Sequence, residues 1–193
     1  MRRAKLVLRT GTDPTGVQDE LWALYQACKL DVSQLKQSSI NKDLSIAEAL
    51  PQGSHRSWLE RLLTVHYDRI YGIGLVITLF FNCILQALGI HRDAVQADAY
   101  YFTEEILMLV EISEDLRPIG SAYLIIALTA AWAASRDIEQ RGRVFAWLCD
   151  YQRDFNYKRG FLQQELLWTA EHLALGNPLG LHQDLDYLDY LVG

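Results

Sequence analysis

The sequence contains few cysteines and prolines, so it lacks the features that mark disulfide-rich and zinc-binding proteins. Its 193 residues include only 3 cysteines and 4 prolines. Cys28, Cys83 and Cys149 are far apart, so none has a partner at the short spacing that zinc sites use. Isolated cysteines beside apolar neighbours are typical of free, buried thiols in a reducing compartment. We therefore expect no disulfide, no metal site and no cofactor.

A surplus of positive charge is also missing. The formal net charge is −6, and the only basic cluster lies near the N-terminus, at Arg2, Arg3, Lys5 and Arg9. A protein that binds nucleic acid usually concentrates Lys and Arg on one face. We expect no direct binding of nucleic acid. The N-terminus also lacks an apolar run followed by a small-residue cleavage site, so no secretory signal is expected.

No segment of useful length alternates apolar and polar residues as a strand would, whereas apolar residues recur at the helical period. Hydrophobic residues make up 50% and charged residues 22%, which is ordinary for a globular protein. The sequence predicts an all-α fold, one compact multi-helix domain with two apolar central helices. Its expected parts are a basic flexible N-terminus, peripheral helices, a helical core and an acidic–apolar tail, at residues 1–15, 16–53, 54–175 and 181–193.

The first half of the chain is predicted to begin with a helix over Gly16–Leu30 that Thr15 caps. Residues 31–53 are interpreted as broken, with short helical pieces at 32–36 and 45–50. A long helix then runs from about residue 54 to residue 88. Gly72 and Gly74 either bend it or let another helix approach closely. Gly89 is a plausible C-terminal cap.

The second half predicts four further helices. The clearest starts at Asp93 and buries Val95, Ala99, Phe102, Ile106 and Leu109. It breaks before Pro118, because proline disfavours helix at the preceding residue. An apolar helix over 120–135 follows. A helix from Asp137 is expected to bury Ile138, Gly142, Phe145, Leu148 and Cys149. After Gly160, a last helix over 161–175 should bury Leu162, Leu166, Ala170 and Leu173.

Two stretches, residues 71–90 and 118–135, contain no charged residue. Both are long enough to cross a bilayer. The remaining helices are amphipathic, however, and need partners with wide apolar surfaces. We therefore favour a buried pair of core helices over a membrane protein.

The best candidates for acid–base chemistry are His66, Tyr71, Glu104 and Glu105. Catalysis needs such groups to converge on one pocket. Neighbouring positions on a helix point in different directions, so these residues form no local site and structural roles are favoured. The sequence shows no zinc-protease, hydrolase or phosphate-loop motif.

Aromatic residues are frequent, with 10 tyrosines and 5 tryptophans. Buried Tyr and Trp carry a polar tip into an apolar setting, which suits a pocket for a small hydrophobic ligand. The alternative is that they fill the core, and we favour it. The tail from His182 to Gly193 alternates acids with bulky apolar residues. It is typical of an activation segment that docks on partners, and equally of a terminal turn that packs back on the domain.

An ordered series of patterns extends from Trp58 to about Leu175. It comprises Tyr67-Asp-Arg-Ile-Tyr-Gly-Ile-Gly74, the apolar run ending at Leu88, Phe102-Thr-Glu-Glu-Ile-Leu107, Arg117-Pro-Ile-Gly120, Ala130-Ala-Trp-Ala-Ala-Ser135 and Asp150-Tyr-Gln-Arg-Asp-Phe155. In this order the series resembles the C-terminal end of the regulatory region of fungal zinc-binuclear-cluster transcription factors. The six cysteines of that family's DNA-binding end and its basic region are absent here. The resemblance therefore implies an all-helical effector domain of fungal type, nuclear or cytoplasmic, that senses a ligand or contacts a partner. Zinc and DNA binding are not carried over.

The sequence suggests two alternative functions, one regulatory and one enzymatic. The first is a regulatory module of transcription-factor type that acts through protein contacts or through a small ligand. The alternative is a small helical enzyme of fungal secondary metabolism with an aromatic-lined pocket. If the 93–112 helix leaves an apolar stripe exposed, that stripe would suit a homodimer. The sequence does not decide between a monomer and a dimer.

Overall fold

The computed structural model describes residues 14–49, 56–117 and 121–154. Those residues contain no strand and five α-helices: α1 (Pro14–Ala49), α2 (Arg56–Leu88), α3 (Arg92–Ile112), α4 (Leu124–Ala134) and α5 (Ile138–Asp154). The predicted all-α fold is confirmed. Predictions for residues 1–13, for the break around Pro51 and for residues 155–193 lie outside the described residues, as does the side chain of Thr15.

Helix α1 is one continuous helix, so the predicted break after residue 30 is wrong as far as residue 49. No glycine or proline lies between residues 17 and 49, and nothing there forces the helix to stop. The polar stretch that suggested a loop is a solvated part of the same helix. Tyr25 and Val32, two helical turns apart, are buried in the core. A region expected at the periphery thus supplies part of the core.

Helix α2 is the centre of the fold and packs against α1, α3 and α4. Two glycines permit these contacts. A Cβ atom at Gly72 would lie 2.7 Å from Cε2 of Tyr123, which precedes α4. A Cβ atom at Gly74 would lie 3.2 Å from Cγ2 of Val32 on α1. Of the two predicted roles for these glycines, close approach of another helix is the one the structure shows.

The end of α2 is capped as predicted. Gly89 has a φ of 73°, in the left-handed region that glycine adopts without strain. The backbone amide of Ile90 donates to the carbonyl of Leu85 at 3.0 Å, and the backbone amide of Gly89 donates to the carbonyl of Gln86 at 3.2 Å. This pair of bonds is the Schellman arrangement. It turns the chain directly into α3, which runs back along α2.

Helix α3 buries all five residues that its period predicted. It ends at Ser113, and a short 3-10 helix leads to Arg117, whose extended backbone fits a position before proline. An exposed apolar stripe is also present, at Tyr101, Met108 and Ile112.

The last two helices differ from their predicted boundaries and faces. Helix α4 begins at Leu124 rather than at residue 120, because Ser121–Tyr123 forms a turn. In α5, Phe145 and Leu148 are buried as predicted, but Ile138 is 72% exposed. The buried positions Gln140, Val144, Leu148 and Tyr151 define the packed face instead. Ile138 is two residues from Gln140, about 200° around the helix, and so points to solvent.

Within the described residues one helix, Leu63–Leu88, is long and apolar enough to cross a membrane by length and composition. Its most apolar window has a mean hydropathy of 1.9 and is 56% buried against other helices. Helix α4 is shorter than a spanning helix and mostly buried. The expected pair of core helices is therefore present, although one side of α2 remains exposed.

Candidate functional site

The candidate residues Tyr71 and Glu105 meet at the junction of three helices. The Tyr71 hydroxyl on α2 donates to Oε2 of Glu105 on α3 at 2.7 Å. Nζ of Lys36 on α1 donates to Oε1 of the same carboxylate at 2.6 Å. Lys36 also donates to the Tyr101 hydroxyl at 3.2 Å. Glu105 is buried, so the ion pair and the phenol together compensate for the loss of its hydration.

The contacts of this cluster give it a structural role, because they connect α1, α2 and α3. Burial raises the pKa of Tyr71, and the hydrogen bond to Glu105 raises it further. The phenol therefore keeps its proton at neutral pH and acts only as a donor. Both carboxylate oxygens of Glu105 already accept bonds from protein groups, so the carboxylate is not presented to a substrate.

The neighbouring candidate Glu104 faces a different helix. Its Oε1 accepts a bond of 2.8 Å from Nε2 of Gln140 and another of 2.8 Å from Nη1 of Arg143, both on α5. Gln140 also donates to the backbone carbonyl of Tyr100 at 3.0 Å and accepts a bond of 2.7 Å from the Ser135 hydroxyl. Glu104 thus joins α3 to α5, while Glu105 joins α3 to α1 and α2.

The fourth candidate, His66, is exposed on α2 and lies beside Tyr67, with ring centroids 6.2 Å apart. Five residues separate it from Tyr71, which places the two side chains about 140° apart around the helix. The structure therefore brings Tyr71 and Glu105 together and leaves His66 and Glu104 on other surfaces. This arrangement does not converge on one reacting centre as a general acid–base pair would.

A second polar network, which the sequence analysis did not identify, crosses the other end of the core. Nδ2 of Asn82, which is fully buried, donates to the Tyr25 hydroxyl at 2.9 Å and to the carbonyl of Val95 at 2.7 Å. Tyr25 donates in turn to Oδ2 of Asp98 at 2.9 Å. Nζ of Lys29 reaches the same oxygen at 2.6 Å. The network connects α1, α2 and α3.

This network continues towards α4. Nε2 of Gln86 donates to Oδ1 of Asn82 at 2.7 Å and to the carbonyl of Ala134 at 2.9 Å. Nε of Arg136 donates to Oε1 of Gln86 at 2.6 Å. Burial, and then the nearby Arg92, lower the pKa of Arg136. Two polar residues four positions apart in the uncharged stretch 71–90, Asn82 and Gln86, are the sequence signal for this site.

The equal spacing of two lysines on α1 and of two acids on α3 is a further sequence signal for contact between these helices. Lys29 and Lys36 are seven residues apart on α1, and their partners Asp98 and Glu105 are seven residues apart on α3. Seven residues are close to two helical turns, so each pair lies on one side of its helix. The two ion pairs align α1 with α3, and α2 lies antiparallel to both.

Among the described residues, a surface cleft of about 260 Å³ lies between the start of α3 and the α4–α5 connection. All but one of its lining residues carry a polar group in the side chain: Gln96, Tyr100, Ala134, Ser135, Arg136, Asp137 and Gln140. Tyr100 is its only aromatic residue and is exposed. Ligand pockets are usually about 300–1,000 Å³ and mostly apolar. This cleft therefore does not fit the aromatic-lined pocket that the enzyme alternative requires.

The aromatic residues of the described ranges serve mainly the core. Tyr25, Tyr71, Trp132 and Tyr151 are buried among aliphatic side chains. These residues fill space between helices, which is the interpretation that the sequence favoured. Among the described residues, no group of three or more His, Cys, Asp or Glu is placed to hold a metal ion.

No model of a known protein family, no curated protein and no solved structure matches this chain.

Proposed function

We propose that this protein is a regulatory module of the kind found at the C-terminal end of the regulatory region of fungal zinc-binuclear-cluster transcription factors. It acts through protein contacts, in the nucleus or the cytoplasm, and leaves DNA binding to other chains or domains. The ordered patterns between Trp58 and Leu175 support this proposal. They cover the central part of the chain, including parts of α2, α3, α4 and α5.

The observation that carries the proposal is that three acids of α3 are bound to side chains of other helices. Glu105 and Asp98 each bind a lysine and a tyrosine from other helices, and Glu104 binds two α5 side chains. Side chains committed in this way stabilise one arrangement of helices. Such a scaffold suits recognition of a partner better than turnover of a substrate.

The acidic–apolar tail is the contact segment we propose. Asp184, Asp186 and Asp189 alternate with Leu185 and Leu188 in a pattern typical of activation segments. The apolar residues would enter a partner groove, while the acids keep the segment soluble and steer it to a basic rim.

The test is to tether the chain to an unrelated DNA-binding domain in a fungal reporter strain and to measure transcription. We expect a change in reporter expression that Leu185→Ala with Leu188→Ala abolishes. A matched control replaces exposed polar residues of α1, Gln18→Ala with Glu20→Ala, and should leave the effect intact. Expression equal to that of the DNA-binding domain alone would reject the proposal.

The enzyme alternative has its own test. A helical enzyme of secondary metabolism would retain a small hydrophobic metabolite or turn one over. Native mass spectrometry of the purified chain distinguishes the two functions: the regulatory module acting through protein contacts is expected at the bare mass of the protein. A bound hydrophobic metabolite would instead favour ligand sensing or catalysis, and turnover of that metabolite would establish the enzyme.

A further inference from the structure

One side of α2 carries a row of apolar side chains with no cover among the described residues. Ile70, Ile73 and Ile77 are 36%, 48% and 46% exposed, and the half-buried Phe80 and Ile84 continue the row. The spacing of three and four residues places them on one stripe. We call these five residues the outer face of α2. A monomeric protein rarely leaves such a continuous apolar row in water.

The outer face points away from every helix that α2 is shown to contact. Tyr71 and Asn82 face α3, Gly72 approaches the residue before α4, and Gly74 approaches α1. Ile73 and Ile77 lie on the remaining side of the helix, where their exposure persists after all of these contacts are made. No helix among the described residues covers that side of α2.

We propose that residues 161–175 of this same chain form a helix that docks on the outer face of α2. The inference does not depend on the proposed function, because it concerns how the domain completes its own core.

The place where the described chain ends supports this occupant. Asp154, the last residue of α5, accepts a bond of 2.5 Å from Nε of Arg117, whose guanidinium lies 4.6 Å from the centroid of the Tyr151 ring. Arg117 is only six positions before Tyr123, and the Arg69 guanidinium of α2 lies 5.8 Å from the centroid of the Tyr123 ring. Tyr123 in turn lies against α2 at Gly72. The chain thus leaves α5 close to the Ile70 end of the outer face.

Length and reach agree with this placement. Residues 155–160 can extend by up to about 20 Å. A helix over residues 161–175 would be about 22 Å long, and the axial distance from Ile70 to Ile84 is about 21 Å. A segment that starts near one end of the outer face can therefore cover all of it.

The chemistry of the segment is also complementary. Its predicted apolar side, with Leu162, Leu166, Ala170 and Leu173, would meet isoleucine and phenylalanine, while Gln164 and Glu171 would face water. A tethered segment reaches an effective concentration of the order of millimolar. It therefore competes successfully with a second copy of the chain at ordinary protein concentrations. The exposed stripe of α3 is a poorer site, because Tyr101 within it is already bonded to Lys36.

Hydrogen exchange of the full chain, read by mass spectrometry, tests the proposal. In the unchanged protein, amides of residues 161–175 should exchange at least about tenfold more slowly than in an unstructured peptide. Ile77→Asp should remove this protection and leave α3 protected. Met108→Asp is the matched control, because Met108 is 44% exposed on α3, and it should change nothing in residues 161–175.

A second variant guards against loss of the whole fold. Leu166→Asp lies outside the described core and should raise exchange in residues 161–175 while α3 stays protected, whereas Gln164→Asp should not. Three outcomes would overturn the proposal: no protection of residues 161–175 in the unchanged chain, protection lost with Met108→Asp instead, or a dimer or detergent-dependent protein that Ile77→Asp converts to a soluble monomer.

Discussion

Single polar side chains inside this core hold neighbouring helices in register. Asn82 uses both of its amide protons and its carbonyl oxygen, towards Tyr25, Val95 and Gln86. A buried amide that satisfies all of its partners stabilises one alignment, because any shift of the helices leaves unpaired groups.

We predict that Asn82→Ala lowers the free energy of unfolding by about 2–4 kcal/mol. The substitution removes three bonds and leaves a buried phenol, a carbonyl and an amide without that partner. Urea unfolding followed by far-UV circular dichroism measures the change. Glu111→Ala, at an exposed position of α3, is the control and should stay within about 0.5 kcal/mol of the unchanged protein. A similarly small effect at Asn82 would contradict the prediction.

Buried tyrosines make the stability of the fold sensitive to alkali. Burial raises the pKa of Tyr25 and Tyr71, that of Tyr123 to about 12 and that of Cys83 to about 12. Above pH about 10 the unfolded chain loses these protons while the folded chain retains them. The unfolded state is therefore favoured as the pH rises. For Tyr123 the stabilisation is complete below pH about 10 and is lost between about 10 and 12, whereas for Cys83 the loss already begins near pH 9. For Tyr25 and Tyr71 the loss begins near pH 10 and continues at higher pH.

Each such tyrosine should contribute up to about 1.4 kcal/mol of lost stability per pH unit in this window. Urea unfolding at a series of pH values measures the slope. Tyr71→Phe should reduce the slope by about one proton, and Tyr100→Phe, at an exposed position, should leave it unchanged. A stability that is flat from neutral pH to pH 11 would show that these phenols are not buried in solution.

At the scale of helices, replacing two glycines by alanine separates the effect of helix–helix contact on stability from the effect of helix propensity. Gly72 and Gly142 both lie inside helices, α2 and α5. A Cβ atom at Gly72 would come within 2.7 Å of Tyr123, whereas nothing lies within 4 Å of one at Gly142. The same chemical change should therefore have opposite effects at the two positions.

We predict that Gly72→Ala lowers the free energy of unfolding by about 1–3 kcal/mol through overpacking. Gly142→Ala should raise it by about 0.5–1 kcal/mol, because alanine is the better helix former and loses less conformational entropy on folding. Thermal unfolding of the two variants checks both signs at once. A stabilised Gly72→Ala variant would mean that α4 is farther from α2 than the structure places it.

At the scale of the whole molecule, α1 is part of the domain and not an appendage. It supplies Lys29 to the half-buried Asp98 and Lys36 to the buried Glu105, and it covers α2 with Tyr25 and Val32. Without α1, Glu105 would remain without the lysine that compensates its charge. Removing one partner of a buried ion pair costs about 3–5 kcal/mol, a large part of a domain's stability.

We therefore predict that a chain beginning at residue 56 loses cooperative unfolding, whereas a chain beginning at residue 14 behaves like the full protein. Circular dichroism during urea titration compares the two. Helical signal without a cooperative transition is the expected result for the shorter chain. A cooperative transition within about 1 kcal/mol of that of the full chain would show that residues 56–193 form the domain by themselves.

The sequence by itself determined the fold class, the cap at Gly89 and the buried face of α3. These features depend on local chemistry: helical periodicity, a left-handed glycine and a residue before proline each act within a few positions of the chain. The course of α1 was missed because polarity was interpreted as a break, although no glycine or proline lies between residues 17 and 49. Exposure of Ile138 was missed for a related reason, since apolar character alone does not say which side of a helix is covered.

Only the tertiary structure decided which polar residues meet. Glu104 and Glu105 are neighbours in sequence yet bind α5 and α1, because adjacent positions diverge by about 100° around a helix. Tyr71 belongs with Glu105, and Asn82 with Tyr25, since the pairing depends on how three helices are aligned across the core. Local sequence carries the period of each helix but not the rotation of one helix against the next, and that rotation follows from packing all of the faces together.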